Sequence, residues 1–247
     1  MELLPDTLAS LAQTDPDRIR AAQLASTDDR AALMVVYAFH AELAKVPELV
    51  SQPLLGNIRY QWWRDCVEEI YAGKPVRKHE VALPLADLVK VRSVSRFRLD
   101  QLIDGRERDL DPRPFADLDA ARDYSRATSG ALMRLAVAVL GGEADAGADA
   151  AGEAWGLCGL ARGYRFYRHT MLQHLRPDAL LDAALESHGR AGRIPSAVMP
   201  AVAYAALVPG YVKVMRKPGF DPVKSPVRYG ALAKQARLMR AAVSGRL

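Results

Sequence analysis

The chain has 247 residues, half of them apolar, which is enough to bury one large core and has the composition of an ordinary soluble protein. Its two cysteines, Cys66 and Cys158, each lie inside an apolar helical pattern, which argues against a disulfide framework or a thiolate zinc site. The formal charge of +5 admits an anionic ligand, an anionic membrane surface or nucleic acid, but no nucleic-acid motif accompanies it and nucleic acid is not expected as a partner.

Abundant alanine and leucine with few aromatics favour helices over sheet. No continuous run of eighteen apolar residues occurs, and the start Met1-Glu2-Leu3-Leu4-Pro5-Asp6 lacks the pattern of a secretory signal. The expected location is therefore cytoplasmic, with peripheral contact at the inner face of a membrane as the variant. Residues 1–26 read as a polar N-terminal extension. Thr27-Asp28-Asp29 then reads as a helix cap with acidic first-turn residues, opening a helix through Leu33, Val36, Tyr37, His40, Leu43 and Ala44 that Pro47 limits. In the next helix Ile58, Trp62, Cys66 and Ile70 recur at four-residue steps and predict the buried face, and Gly73 and Pro75 stop it.

After the apolar stretch Val81 to Val89, Ser93 or Ser95 caps a helix carrying Phe97, Leu99, Leu102 and Ile103, ended by Pro112 and Pro114. Asp117 caps a helix from Leu118 to Leu140, closed by Gly141-Gly142, in which Ser129-Gly130-Ala131 offers a small-residue patch for close packing. Residues 142–151 read as a loop. Gly152, Gly156, Gly159 and Gly163 form a stripe on the following helix, against which a backbone or a ligand can approach. A shorter helix covers Asp178 to His188. The apolar segment Ser196 to Arg216 is divided by Pro200 and Pro209, Pro218-Gly219 breaks the chain, and Val227 to Val243 predicts an amphipathic basic helix on the surface. No repeats and no strand series interrupt this pattern. The fold class is all-α, with residues 1–247 as one domain.

The run Arg59-Tyr60-Gln61-Trp62-Trp63-Arg64 resembles a segment of the squalene/phytoene synthase family, and ordered anchors extend the resemblance: Tyr37-Ala38-Phe39, Leu102 to Leu110, Tyr124 with Gly130, and Met199-Pro200. The resemblance implies an isoprenoid-synthase-like helical bundle around a central cavity. In active members, two aspartate-rich helices face each other across that cavity and hold magnesium ions that grip allylic diphosphates.

Here the first motif falls on Ala44-Lys45-Val46-Pro47-Glu48, where Glu48 alone is acidic, and the second on Thr170 and His174, where neither is. The pattern resembles the divergent branch that includes the mitochondrial complex I assembly factors. What it implies is a protein without prenyltransferase activity and without a cofactor, binding an isoprenoid or phospholipid ligand or a protein partner, with complex I assembly as the expected setting. The alternative is an active head-to-head prenyltransferase that uses magnesium. Acidic pairs spaced by four, Asp65/Glu69, Asp100/Asp104 and Asp119/Asp123, are weak replacement ligands, with Asp65 and Glu69 the best placed beside Glu48; a His40/His174/Glu48 set is weaker still. Ligand-binding residues expected from the resemblance and from helical spacing are Tyr37, His40, Arg59, Trp63, Tyr124, Arg162, Arg165 and His169, the last three set to share a basic face that replaces the metal.

Overall fold

Prolines at the first helical position open four of the helices, because a residue without an N–H and with its φ already fixed costs nothing there. The computed structural model describes residues 2–111, 113–143 and 145–247; among them the regular structure is helical, apart from one isolated extended pairing of Arg193 with Arg246. The first two helices, α1 (Pro5–Thr14) and α2 (Pro16–Ala22), come from the segment set apart in the sequence as an extension. Leu3, Leu11, Asp17, Arg18, Ala21 and Ala22 of that segment are nevertheless buried in the bundle.

Helix α3 (Thr27–Lys45) is capped by Ser26, one residue earlier than expected, whose hydroxyl accepts the Asp29 N–H at 3.3 Å. Pro47 tightens its end into a 3₁₀ turn over 46–49. Helix α4 (Pro53–Tyr71) presents a different face from the one expected: Gly56, Tyr60, Trp63, Cys66 and Val67 are buried, whereas Ile58 is 58% exposed. Steps of four advance 40° beyond a full turn each, so Ile58 and Ile70 lie about 120° apart on the helix, and only the middle of that row reaches the core. The stretch after the turn at Gly73 forms α5 (Ala82–Val91).

Helix α6 (Arg96–Glu107) begins after Ser95, although that hydroxyl makes no capping bond. Its expected stop at Pro112 lies outside the described residues. Asp117 caps α7 (Leu118–Ser125) by accepting the Ala120 N–H at 2.9 Å. A single π-helical turn at Arg126–Gly130 joins it to α8 (Ala131–Val139), and Gly141, at φ +79°, ends the run.

Helix α9 (Ala146–Arg162) starts inside the segment read as a loop, because Asp145 caps it by accepting the Ala148 N–H at 2.8 Å. Every residue from Ala150 to Cys158 is buried, which makes α9 the axis of the bundle. The glycine stripe divides by function. A Cβ on Gly152 would sit 2.7 Å from the Cα of Gly130, in the small-residue patch, and one on Gly156 would sit 2.6 Å from Ser125, whereas Gly159 has nothing within 4 Å. Close helix packing thus accounts for the first two glycines.

The remaining elements are α10 (Tyr164–Tyr167), α11 (Pro177–Gly189), α12 (Met199–Val202), α13 (Val208–Met215) and α14 (Ala231–Ser244). By composition the stretch Ser196–Met215 is long and apolar enough to cross a membrane, although it contains no unbroken run of eighteen apolar residues; 83% of its eighteen-residue apolar window is buried inside this fold, and the stretch is divided at Pro200 and Pro209 as expected.

The glycine contacts predict opposite effects for one kind of substitution. Gly152→Ala should destabilise the protein by about 1–3 kcal/mol, because backbone atoms have to move. Gly159→Ala should stabilise it by about 0.5–1 kcal/mol, since only helix propensity changes. Urea denaturation of both variants checks this, and equal effects would show that α9 does not pack on the 125–130 turn as described.

Candidate functional site

Four helices bring polar side chains to the middle of the bundle. His40 projects from α3, Tyr60 from α4, Arg106 from α6 and Tyr124 from α7, with Asp109 on the turn after α6. Arg106 donates to Asp109 Oδ2 at 2.9 Å and also lies at hydrogen-bond distance from His40 Nε2. Tyr124 donates to the other Asp109 oxygen at 2.6 Å, and Tyr60 donates to the Arg106 carbonyl at 2.9 Å. A guanidinium only donates, so His40 is neutral with Nε2 as its acceptor. Burial first, and then the charges of Arg106 and Arg18, hold its pKa well below the ordinary histidine value.

Next to this group, Arg18 pairs with Asp15 and lies 4.9 Å from the ring centre of Tyr204 and 5.8 Å from that of Trp155. The hydroxyls of Tyr37 and Tyr204 are buried without a partner. Burial pushes the Tyr37 pKa upward, so the group is a neutral phenol.

On the other side of Arg18, Asp17 accepts Lys234 Nζ at 2.7 Å and the Tyr211 hydroxyl, with Arg162 at 3.7 Å. Arg162 lies 4.5 Å over Tyr211 and 4.8 Å over Trp155. A further buried carboxylate, Glu153 of α9, accepts Arg122 and Arg126 at 2.6 Å, Ser187 at 2.7 Å and Arg190 at 3.0 Å. Burial alone would raise its pKa; the bonds from Ser187, Arg122 and Arg126 outweigh burial and hold it below the ordinary carboxylate value.

The residues expected to bind ligand fall in different places. His40 and Tyr124 both reach Arg106, and Tyr37 is buried one turn before His40 on α3. Arg59 and Trp63 instead line an open groove of about 270 Å³ with Glu42, Val46, Trp62 and His79. Arg162, Arg165 and His169 do not share one helix face. Helix α9 ends at Arg162, Gly163 caps it, and a new short helix begins, which leaves Arg162 turned inward to Asp17 and Arg165 and His169 exposed.

Residues 11–169, well over half of the chain, match the family model for squalene/phytoene synthase. The chain belongs to the squalene/phytoene synthase family. Among curated proteins it is similar to complex I assembly factor 6 of Mus musculus, 34% identical over 49% of this chain and 37% of that protein. To the Rattus norvegicus factor it is 28% identical over 74% of this chain and 65% of that one. The matches thus span from about a third to just under two thirds of those relatives. Among solved structures, a dehydrosqualene synthase bound to a ligand superposes with a TM-score of 0.75, at 13% identity, over 96% of this chain and 94% of that one. The squalene synthase HpnC of Alicyclobacillus acidocaldarius gives 0.66, at 14% identity, over 87% and 94%. The fold is the all-helical isoprenoid-synthase type.

A squalene/phytoene synthase site for magnesium requires several carboxylate oxygens free to face one point. The donor set of this member does not fit. Glu48 and His174 are exposed, and the Thr170 hydroxyl donates to the Tyr167 carbonyl at 3.2 Å. Asp65 and Glu69 both turn to Arg77, at 3.7 and 2.6 Å. Asp100 pairs with Arg96 at 3.2 Å, Asp104 with Arg64 at 2.6 Å and Asp123 with Arg126 at 2.9 Å. Asp119 lies 3.9 Å from Arg122. Among the described residues no group of three His, Cys, Asp or Glu is placed to hold a metal ion.

The residues that organise the interior were mostly not singled out in the sequence. Arg106 and Asp109 stand in a family anchor, but Asp17 and Arg18 lie in the segment read as a polar extension, and Glu153 carries no local signal. Their partners are up to 217 positions away, and spacing within a helix carries no trace of that.

The buried neutral histidine gives a pH dependence. The unfolded chain protonates His40 below about pH 6.5 and the folded protein resists doing so, so unfolding takes up protons and stability falls as the pH drops from 6.5. His188, whose pKa is also lowered by burial and by Arg237, adds to the same window. Melting between pH 7 and 5 should lose stability with a slope of at most about 1.4 kcal/mol per pH unit from each histidine. His40→Gln, which keeps an acceptor for Arg106, should reduce that slope; an unchanged slope would contradict the neutral assignment.

Proposed function

We propose that this chain is a synthase-fold protein that does not turn over allylic diphosphates and acts in the assembly of respiratory complex I by binding a lipid or isoprenoid ligand or a protein partner. The observation that carries the reading is that the buried carboxylates Asp17 and Glu153 and the partly buried Asp109 are each occupied by arginine, lysine or hydroxyl donors of the same chain. A carboxylate committed to a guanidinium cannot also neutralise magnesium and a leaving diphosphate. Similarity to the assembly factors supports the assembly part of the reading.

For an apolar ligand or partner segment, the groove holding Arg59 and Trp63 is the best supported of the expected positions. Trp62, Trp63 and His79 give it an aromatic wall, and the neighbouring Leu49, Leu54, Leu55 and Ile58 are exposed. Tyr37, His40 and Tyr124 belong in this reading to the interior framework behind that wall, and Arg162 to the bonds around Asp17.

Two measurements test the proposal. Purified protein incubated with magnesium and farnesyl or geranylgeranyl diphosphate should release no pyrophosphate above background; robust magnesium-dependent release would establish the prenyltransferase alternative. Deleting the gene in its source organism should deplete assembled complex I on native gels, and an undiminished complex would remove the assembly reading.

A further inference from the structure

The charge of this protein is strongly segregated. Residues 208–247 hold nine of the 34 Lys and Arg but one of the 29 Asp and Glu, a balance of +8, which leaves residues 1–207 at −3. The single acid there, Asp221, accepts the backbone N–H groups of Val223 and Lys224 at 2.8 and 3.2 Å and is spent on its own turn.

Two of the nine cations are neutralised by the fold, Arg216 by Asp182 and Lys234 by Asp17. Five others, Lys213, Lys217, Arg228, Arg237 and Arg240, line an open groove of about 530 Å³ between α13 and α14. The groove lining contains no carboxylate, and among the described residues none of the five makes an ion pair.

Helix α14 adds a second feature. It is anchored through Lys234, Leu238 and Ala241, yet Leu232 is 89% exposed, Val243 85% and Met239 47%. At 100° per residue these three fall within about 40° of one another on the side away from the core; Arg240 lies about 80° around the helix from Leu232, and Arg237 about 140°, toward the core-facing side and the groove. The stripe runs about 16 Å along the helix axis. An aliphatic stripe with a cationic groove along its flank is the pattern of a helix lying in the plane of a membrane interface, with its apolar residues among the acyl chains and its basic residues at the headgroups.

We propose that α14 and the groove behind it form a docking surface for a bilayer rich in anionic phospholipid. Leu232, Met239 and Val243 enter the interface, and Lys213, Lys217, Arg228, Arg237 and Arg240 take the headgroup phosphates. A nucleic-acid surface would be expected to offer free aromatic faces for stacking. The one aromatic residue in the lining, Tyr229, is packed against Gly210 and lies 5.2 Å from Tyr211. This surface is separate from the groove of Arg59 and Trp63, and the inference stands whether or not a ligand binds there.

The test is co-sedimentation of the full chain with vesicles of phosphatidylcholine alone and with 30% phosphatidylglycerol. Binding is expected only with the anionic vesicles and should weaken with salt. Each cation at such a surface contributes about fivefold, so Lys213→Gln, Arg237→Gln and Arg240→Gln together should weaken binding on the order of 10²-fold. Leu232→Gln with Val243→Gln, at two exposed positions, should weaken it at least about tenfold, including the part that survives high salt. Neutralising Lys74 and Lys78, in the turn after α4, should change little. Circular dichroism melts of each variant confirm folding. Equal binding to neutral vesicles, or a folded triple variant that binds as well as the parent, would overturn the proposal. So would binding of a single-stranded oligonucleotide in place of vesicles, undiminished by Leu232→Gln with Val243→Gln.

Discussion

Charge buried in a helical bundle has to be matched where it lies, and that constraint organises this molecule. Asp17 on α2 meets Lys234 on α14, Tyr211 on α13 and Arg162 on α9, so one carboxylate fastens four helices drawn from both ends of the chain. Glu153 does the same for α7, the π turn, α11 and the residue that follows α11, through Arg122, Arg126, Ser187 and Arg190. Removing one partner from such a cluster strands the other in a medium that cannot solvate it, which typically costs about 3–5 kcal/mol. The pairs specify which helix lies against which more strongly than they add net stability, because their formation first required removing each group from water.

The same constraint shapes the reading of function. The backbone follows a dehydrosqualene synthase closely, with a TM-score of 0.75, while 13% of the residues are shared. A scaffold can be kept while its site changes, and function is then argued from the side chains in place. In this chain the interior between α3 and α9 holds Arg18, His40, Arg106 and Trp155 together with their carboxylate and tyrosine partners. That set is internally neutral and largely satisfied. The exceptions in this set are the Nε groups of Arg18 and Arg106 and the hydroxyls of Tyr37 and Tyr204.

Much of the fold was legible in the sequence because capping and breaking residues act locally. Asp117, Gly73, Gly141 and the prolines at 47, 200 and 209 each did what their chemistry predicts within a few positions. The small-residue patch at 129–131 was legible for the same reason, and Gly152 seats on it. What could not be read was tertiary. The face of α4 follows Gly56, Tyr60, Trp63 and Val67, a seven-residue rhythm that includes a glycine and a tyrosine, and the four-residue steps of Ile58, Trp62, Cys66 and Ile70 share only Cys66 with the buried set. The basic periodicity of Arg162, Arg165 and His169 assumed an unbroken helix, and Gly163 breaks it. A charged pair such as Asp17 and Arg18 looks solvated in sequence, because nothing local reveals a lysine 217 positions away.

The central claim, that the interior carboxylates Asp17, Asp109 and Glu153 are held by the chain's own donors and leave none free for magnesium and a diphosphate, is tested most directly by ligand-dependent melting. A bound ligand raises stability in proportion to the logarithm of its concentration over its Kd, so a family-type site loaded with millimolar magnesium and a non-reactive farnesyl thiodiphosphate would give a rise of several degrees. The account gives no magnesium-dependent rise for the wild-type protein. A rise that requires magnesium and the diphosphate analogue together, and that disappears in Asp109→Asn, would contradict it.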